Sequence, residues 1–100
     1  MSRALRFTPD ALSDLEQIFI YIAADSPNRA RSYVGEIRTS CRKLTNSPML
    51  GVDRSHIRPG LRILPLWRRI IIAYELPPDR VDILRILSGR QDYEALMGTG

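Results

Sequence analysis

The stretch RRIIIAYELPPDRVDILRIL, residues 68–87, contains two strand patterns joined by a short turn. Residues 68–76 hold three consecutive isoleucines and Tyr74, and β-branched and aromatic residues are typical of strands. The PPDR segment at 77–80 favours a turn. Residues 81–87 predict a strand whose side chains alternate between two faces. Val81, Ile83, Arg85 and Leu87 would share one face, and Asp82, Leu84 and Ile86 the other.

The sequence just before this stretch predicts a third strand. LRILPLW, residues 61–67, is strand-like, and Pro65 indicates an edge position or a bulge because proline has no N–H to donate. Short links between successive strands favour antiparallel pairing, so residues 61–87 predict a three-stranded meander. Residues 48–60 hold two prolines and two glycines and are predicted to form a loop.

Two helices are predicted upstream of the meander. Thr8-Pro9 supplies an N-cap and a first helical residue, and apolar residues at helical spacing continue to about residue 24. Ser26-Pro27 begins a second helix in the same way, and the sequence NSP at 46–48 ends it. The link between them is so short that the helices must form an antiparallel hairpin, whose apolar stripes need a sheet to pack on.

A strand at residues 3–7 and a short helix at 91–97 complete the predicted element order. The fold class is α+β with the order β-α-α-β-β-β, in which the helical hairpin packs on a small, largely antiparallel twisted sheet. The 100-residue length predicts a single domain over residues 1–97. The glycines near the C-terminus predict a frayed tail at 98–100.

The composition excludes several classes of protein. One cysteine cannot form an intramolecular disulfide, and Cys41 with His56 is too small a set for a Cys/His metal site, so no metal is expected. The N-terminal segment lacks the apolar run of a secretory signal, and no run of 18 apolar residues is present. These features predict a cytoplasmic protein that does not enter a membrane.

Positive charge is concentrated in the middle of the chain. Fourteen of the 15 basic residues are arginine, and the formal net charge is +4. Residues 26–47 carry five basic residues against one acidic residue, and residues 54–74 carry five basic residues and no acidic one. The two ends are each mildly acidic. This distribution indicates a basic face and an acidic or polyanionic partner.

The residues alone leave the chemistry of the C-terminal segment open. Arg85, Arg90 and Tyr93 could grip and cleave an RNA backbone, the arginines stabilising phosphate charge and the tyrosine exchanging a proton. The structural alternative pairs Arg85 with Glu75 or Asp82 and packs Tyr93 onto the core. His56 is interpreted as an exposed loop residue rather than a general base, and Cys41 as a small buried hydrophobe.

Two motifs resemble the RelE/ParE superfamily of type II toxin–antitoxin toxins. The first is I-L-x-G-R-x-D at residues 86–92, and the second is G-x-x-R-x-x-I-R-P-G-L-R at residues 51–62. The resemblance extends from about residue 5 to residue 97 and is closest to the ParE branch, also called plasmid stabilisation proteins. It implies the same β-α-α-β-β-β fold and no cofactor.

The resemblance implies two possible activities. RelE-like members cleave ribosome-bound mRNA, whereas ParE-like members inhibit DNA gyrase and so block replication. Ser88 replaces the histidine of many ParE-like relatives, and lysine is almost absent, so gyrase inhibition is the favoured prediction. The catalytic residues of the ribonuclease alternative would be Arg85, Arg90 and Tyr93. Charge alone nominates the target-binding candidates, which are Arg54, Arg58, Arg62, Arg85 and Arg90. A degenerate, non-toxic binding module is a third possibility.

The resemblance also implies a cognate antitoxin, small and ParD-like, with a flexible acidic C-terminal segment that wraps the toxin. Arg31, Arg38 and Arg42 share one flank of the second predicted helix, where they could form charge-assisted hydrogen bonds with carboxylates. The expected assembly is a hetero-oligomer in which DNA is contacted only through the antitoxin.

Overall fold

The computed structural model describes residues 2–88 and 91–98 of the chain. Its helices are α1 (Pro9–Ala23), α2 (Pro27–Lys43) and α3 (Tyr93–Gly98). Its strands are β1 (Ala4–Phe7), β2 (Val52–Asp53), β3 (Arg62–Leu66), β4 (Ile70–Glu75) and β5 (Arg80–Ser88). The predicted α+β class and element order are confirmed. The segment 48–60, predicted to be a loop, also contains a 3₁₀ turn at Pro48–Leu50 and the short strand β2.

The five strands form one sheet in the order β1-β5-β4-β3-β2. The predicted meander of β3, β4 and β5 is antiparallel, and β1 adds to β5 in parallel, with Ala4 opposite Arg80. β2 pairs with β3 only at Ile63 and Arg62, so Pro65 lies on a part of β3 that has no second partner. On that side of β3 a missing N–H removes no hydrogen bond between strands, and the predicted edge position of Pro65 is confirmed.

Both helices of the hairpin begin at the predicted caps. The Thr8 hydroxyl accepts a hydrogen bond from the Ala11 N–H and donates one to the Leu84 carbonyl, so the cap also fastens α1 to β5. The Ser26 hydroxyl accepts from the Arg29 N–H at the start of α2. Each cap is followed by a proline at the first helical position, where the missing N–H needs no partner.

A β-bulge in β5 overturns the predicted alternation of residues 81–87. Ala73 lies opposite Arg85 and Tyr74 opposite Ile83, so β5 has one extra residue at this point. Beyond the extra residue the faces exchange. Ile86 therefore packs in the same cluster as Val81 and Ile83, although strict alternation placed it on the opposite face.

The sheet is packed on both faces. The larger cluster lies between the sheet and the helical hairpin, and Ile37, Cys41, Leu44, Ile72 and Tyr74 are fully buried in it. The smaller cluster consists of Leu61, Ile63, Ala73, Leu84 and Met97, with Tyr93 packed against it. α3 therefore covers the face opposite the hairpin. Within the described residues no helix combines the length and apolarity needed to cross a membrane.

The turn between β3 and β4 adopts a conformation that its residues disfavour. Trp67 and Arg68 have φ values of 52° and 60°, and the Arg69 N–H donates to the Leu66 carbonyl. Positive φ at both central positions is the pattern of a type I′ turn, which usually holds Asn-Gly. A side chain in this region costs about 1–2 kcal/mol per residue. Trp67 nevertheless stacks at a tilt on Tyr33 of α2, with ring centroids 5.1 Å apart.

Cys41 is a buried core residue, as interpreted from the sequence. It lies on the core-facing side of α2 with no exposed surface and forms no disulfide. Burial raises the pKa of its thiol from 9.0 to about 12, and this outweighs the lowering by the nearby charges of Arg38 and Arg42. The thiol therefore stays protonated and unreactive in the folded protein at neutral pH.

The free energy of unfolding is expected to fall as the pH rises above 9. The unfolded chain releases the Cys41 proton near pH 9.0, whereas the folded chain holds it to about 12. The unfolded state then binds fewer protons, so this group lowers stability by up to about 1.4 kcal/mol per pH unit across that window and has no effect below it. Urea unfolding of the wild type and Cys41→Ala between pH 7 and 11 measures the effect. Identical slopes above pH 9 would contradict the assignment.

Candidate functional surface

Arg85 is held by Asp14 of α1, not by Glu75 or Asp82 as the structural alternative predicted. Its Nε and Nη2 atoms donate to the two carboxylate oxygens of Asp14 at 2.7 and 3.0 Å. One of those oxygens also accepts from the Ile86 N–H at 2.9 Å, next to the bulge. The bidentate bond to Asp14 raises the pKa of the Arg85 guanidinium. Asp82 is instead buried and pairs with Arg80 at 2.8 Å.

The bonds to Asp14 use the Nε and Nη2 donors of the Arg85 guanidinium. Side-chain exposure is 26% for Arg85 and 15% for Asp14, so both groups are largely withdrawn from solvent. Bidentate arginine–carboxylate pairs are among the strongest hydrogen-bonded contacts in proteins. A phosphate would have to displace Asp14 to take these two donors.

Arg62 is also engaged by the fold. Its Nη2 atom donates to the Gly51 carbonyl at 2.7 Å and to the Met49 carbonyl at 3.4 Å. Its side chain is 18% exposed, and Asp53 lies 3.9 Å from Nη1. Arg62 thus fixes the segment that leads from the 3₁₀ turn into β2.

Arg54 and Tyr93 meet on the face of the sheet that α3 covers. Arg54 Nε donates to the Tyr93 hydroxyl at 3.4 Å, and Arg54 Nη1 donates to the Asp53 carbonyl at 3.2 Å. Tyr93 packs against the smaller core cluster, as the structural alternative predicted. Arg85 bonds Asp14 of α1 and Tyr93 bonds Arg54, so the two side chains have different partners in the described part of the chain. Arg58 is half-buried in the same loop as Arg54, and Arg90 lies outside the described residues.

The three arginines on the flank of α2 already have local partners. Arg31 donates to the Asn28 side chain, and Arg42 donates to the Thr39 hydroxyl at 3.0 Å. The Arg38 guanidinium lies over the Phe7 ring, 5.3 Å from its centroid. Arg31 and Arg42 are exposed and Arg38 is half-buried, so the flank is basic and accessible at its two ends.

Sequence reasoning missed three residues that shape these surfaces. Asp14 has no signal in the local sequence, because its partner Arg85 lies 71 positions away. Gly51 was noted only within a motif, although its N–H donates to the buried Tyr74 hydroxyl at 2.8 Å. Trp67 ends the predicted strand 61–67, and only the structure places it in a turn beside Tyr33.

The described residues offer no obvious ligands for a metal. Among residues 2–88 and 91–98, no cluster of three or more histidine, cysteine, aspartate or glutamate side chains could hold an ion. Asp53 lies 3.9 Å from the Nη1 atom of Arg62, and its carboxylate accepts from the Ser55 N–H at 2.8 Å. Hydrogen bonds from Ser55 lower the Asp53 pKa, and the same bonds connect this carboxylate to the start of the loop.

Three comparisons with known proteins agree with this architecture. A family model described as the ParE toxin of type II toxin-antitoxin system, parDE, matches residues 5–93. Toxin ParE3 of Caulobacter vibrioides is 34% identical over 101 residues, covering 98% of this chain and 97% of that protein. A solved structure titled "Chromosomal ParDE TA system from P. aeruginosa" superposes with a TM-score of 0.74 and 27% identity, covering 87% of this chain and 96% of the other.

The fold and the matched residues thus define a toxin of the type II toxin–antitoxin class. The match covers nearly the whole chain, including both motifs that carried the sequence resemblance. The chain belongs to the ParE toxin family. The predicted placement in the ParE branch of the RelE/ParE superfamily is confirmed.

Proposed function

We propose that this ParE-family toxin inhibits DNA gyrase in the cytoplasm without catalysing a reaction, and that a cognate antitoxin neutralises it. The observation that carries the choice is the engagement of Arg85 by Asp14. A ribonuclease needs cationic groups free to meet the phosphate and a proton donor beside them. Arg85 is already paired with Asp14, and Tyr93 is bonded to Arg54 and packed on the smaller core cluster.

The target-binding surface that best fits the described residues is the loop at 54–61. Arg54 and Arg58 belong to it, and α3 lies beside it through the Tyr93 contact. His56 is exposed in the same loop. Arg62 and Arg85 are engaged within the fold, so we propose that they stabilise it rather than contact the target. Arg90, which belongs to the motif at residues 86–92, is also proposed to contact the target.

The antitoxin is proposed to bind the basic side of the hairpin. Arg31 and Arg42 are exposed on α2, and charge-assisted hydrogen bonds to carboxylates would suit an acidic segment. The toxin would then occur as a hetero-oligomer with its antitoxin, and DNA would be contacted only through that antitoxin.

The purified toxin is expected to block supercoiling of relaxed plasmid by gyrase, and antitoxin purified from the neighbouring reading frame is expected to restore it. The double variant Arg54→Gln/Arg58→Gln should need at least about tenfold more toxin, because each lost charged contact costs about 1–3 kcal/mol. Arg6→Gln is the matched control, since Arg6 is an exposed arginine on β1.

Primer extension on translated mRNA is the second arm of this experiment. If supercoiling is unimpaired at excess toxin and mRNA is cut at ribosomal A-site codons, the gyrase proposal is wrong and the toxin is a ribonuclease. Loss of those cuts in Arg85→Ala or Tyr93→Phe would then assign the catalytic groups. A toxin inactive in both assays, whose expression leaves growth unchanged, would indicate the degenerate binding module.

A further inference from the structure

The turn at Trp67 presents an aromatic side chain at the surface. Trp67 is 45% exposed although it stacks on Tyr33. Its backbone and that of Arg68 lie in the left-handed region that Asn-Gly would occupy without strain. Residues held in such conformations cluster at functional sites, where the strained geometry places a side chain for contact.

One face of α2 adjoins this turn through the stacked ring pair. This face carries Asn28, Arg29, Ser32, Tyr33 and Glu36 beneath a shallow, open depression of about 300 Å³. The residues around Tyr33 on it are polar or charged. Exposed tryptophan and tyrosine are typical of the residues that dominate binding energy at protein interfaces.

The charge around the aromatic pair is positive. Arg29, Arg68 and Arg69 are all exposed, and none forms an ion pair with another described residue. Glu36 is the acidic residue on this face of α2. An acidic segment with apolar side chains would therefore match both the rings and the arginines.

This surface differs from the flank that the sequence nominated. At 100° per residue, Arg29, Tyr33 and Glu36 fall on the side of α2 opposite Arg31, Arg38 and Arg42. The nominated arginines also have partners within the protein, in Asn28, Phe7 and Thr39. The side of α2 next to Trp67 combines exposed arginines, which form no ion pair within the described residues, with an exposed aromatic ring.

We infer that Trp67 is the anchor at which the acidic C-terminal segment of the antitoxin docks, its carboxylates meeting Arg29, Arg68 and Arg69. This inference rests on the proposed neutralisation by an antitoxin. The proposed contact lies where Tyr33 of α2 meets the turn between β3 and β4. A relaxed Asn-Gly turn would lack this ring.

Trp67→Asn is expected to raise the Kd for the purified full-length antitoxin from the neighbouring reading frame by at least about tenfold, as for a central aromatic contact. Asparagine suits the left-handed conformation, so the turn is kept while the ring is lost. Tyr21→Asn, which removes an aromatic residue 84% exposed on α1, should change Kd less than about twofold. Titration calorimetry gives both values, and circular dichroism confirms that each variant is folded.

Trp67 is the single tryptophan of the chain, which gives a direct spectroscopic readout. Toxin labelled with 5-fluorotryptophan should show one ¹⁹F resonance that shifts when the antitoxin is added and becomes shielded from a solvent relaxation agent. The Arg68→Gly variant relaxes the turn and keeps the ring, so it should melt at a higher temperature and still show the shift at saturating antitoxin, but with a higher Kd because one proposed arginine contact is lost.

The outcomes separate the two proposals. If Trp67→Asn binds as tightly as wild type, or the resonance does not move in the complex, Trp67 is no anchor and the inference is overturned. If in addition Arg31→Gln/Arg38→Gln/Arg42→Gln loses binding, the opposite flank of α2 is the interface and neutralisation still stands. If the wild type does not bind this antitoxin at all, the proposed neutralisation and the inference both fail.

Discussion

Replacing Gly51 with alanine is expected to lower the free energy of unfolding by about 3 kcal/mol or more. A Cβ at this position would lie 2.5 Å from the Tyr74 hydroxyl oxygen and 2.6 Å from the Ile63 carbonyl oxygen. The backbone carbonyl belongs to β3 and cannot move alone. The Tyr74 hydroxyl is also fixed, since it donates to the Pro48 carbonyl and accepts from the Gly51 N–H, both at 2.8 Å.

Thermal unfolding followed by circular dichroism measures this loss, which corresponds to a Tm lower by roughly 12–24 °C in a domain of this size. Gly35→Ala is the matched control, because no atom lies within 4 Å of a Cβ there and the residue is inside α2. It should raise stability by about 0.5–1 kcal/mol. Tyr74→Phe in the Gly51→Ala protein should recover only part of the loss, since the Ile63 contact remains. A Gly51→Ala protein as stable as wild type would refute the packing argument.

Asp14→Ala is expected to destabilise the fold by about 2–4 kcal/mol. The change removes three hydrogen bonds and leaves a largely buried guanidinium at Arg85 and a bare N–H at Ile86. Asp14→Asn should be intermediate, because the amide oxygen can still accept one of these bonds but carries no charge.

Asp10→Ala provides the control for this prediction. Asp10 is exposed in the first turn of α1, where a carboxylate contributes about 0.3–1 kcal/mol through the helix dipole. Urea unfolding of the three variants gives the ranking. Equal losses for Asp10→Ala and Asp14→Ala would mean that the pair to Arg85 contributes nothing beyond the dipole effect.

Local patterns predicted the elements of this fold well. The Thr8-Pro9 and Ser26-Pro27 caps determine the starts of both hairpin helices, because the side chain and the proline act within one turn. The isoleucines of β4 and the edge position of Pro65 were predictable for the same reason. Each of these signals depends on neighbours a few residues away.

The errors came from contacts between distant segments. The bulge in β5 exchanges its faces after Leu84, and apolar residues on both sides of the strand hide that shift in the sequence. Arg85 had two nearby carboxylates in the sequence, yet its partner is in α1. Two residues of the motif at 51–62 serve packing: Gly51 leaves room for Tyr74 and Arg62 binds backbone carbonyls. A specific motif therefore indicated the family without indicating the contact residues.

The parallel pairing of β1 with β5 sets the earliest time at which the sheet can form during synthesis. Ala4 pairs with Arg80 and Phe7 with Ile83, so β1 has no partner strand until nearly the whole chain has been synthesised. At ordinary rates of translation this takes roughly 4–15 s after the first strand is made. Chains released early lack the strand that joins β1 to β4. A chain that ends before β5 therefore cannot form the five-stranded sheet.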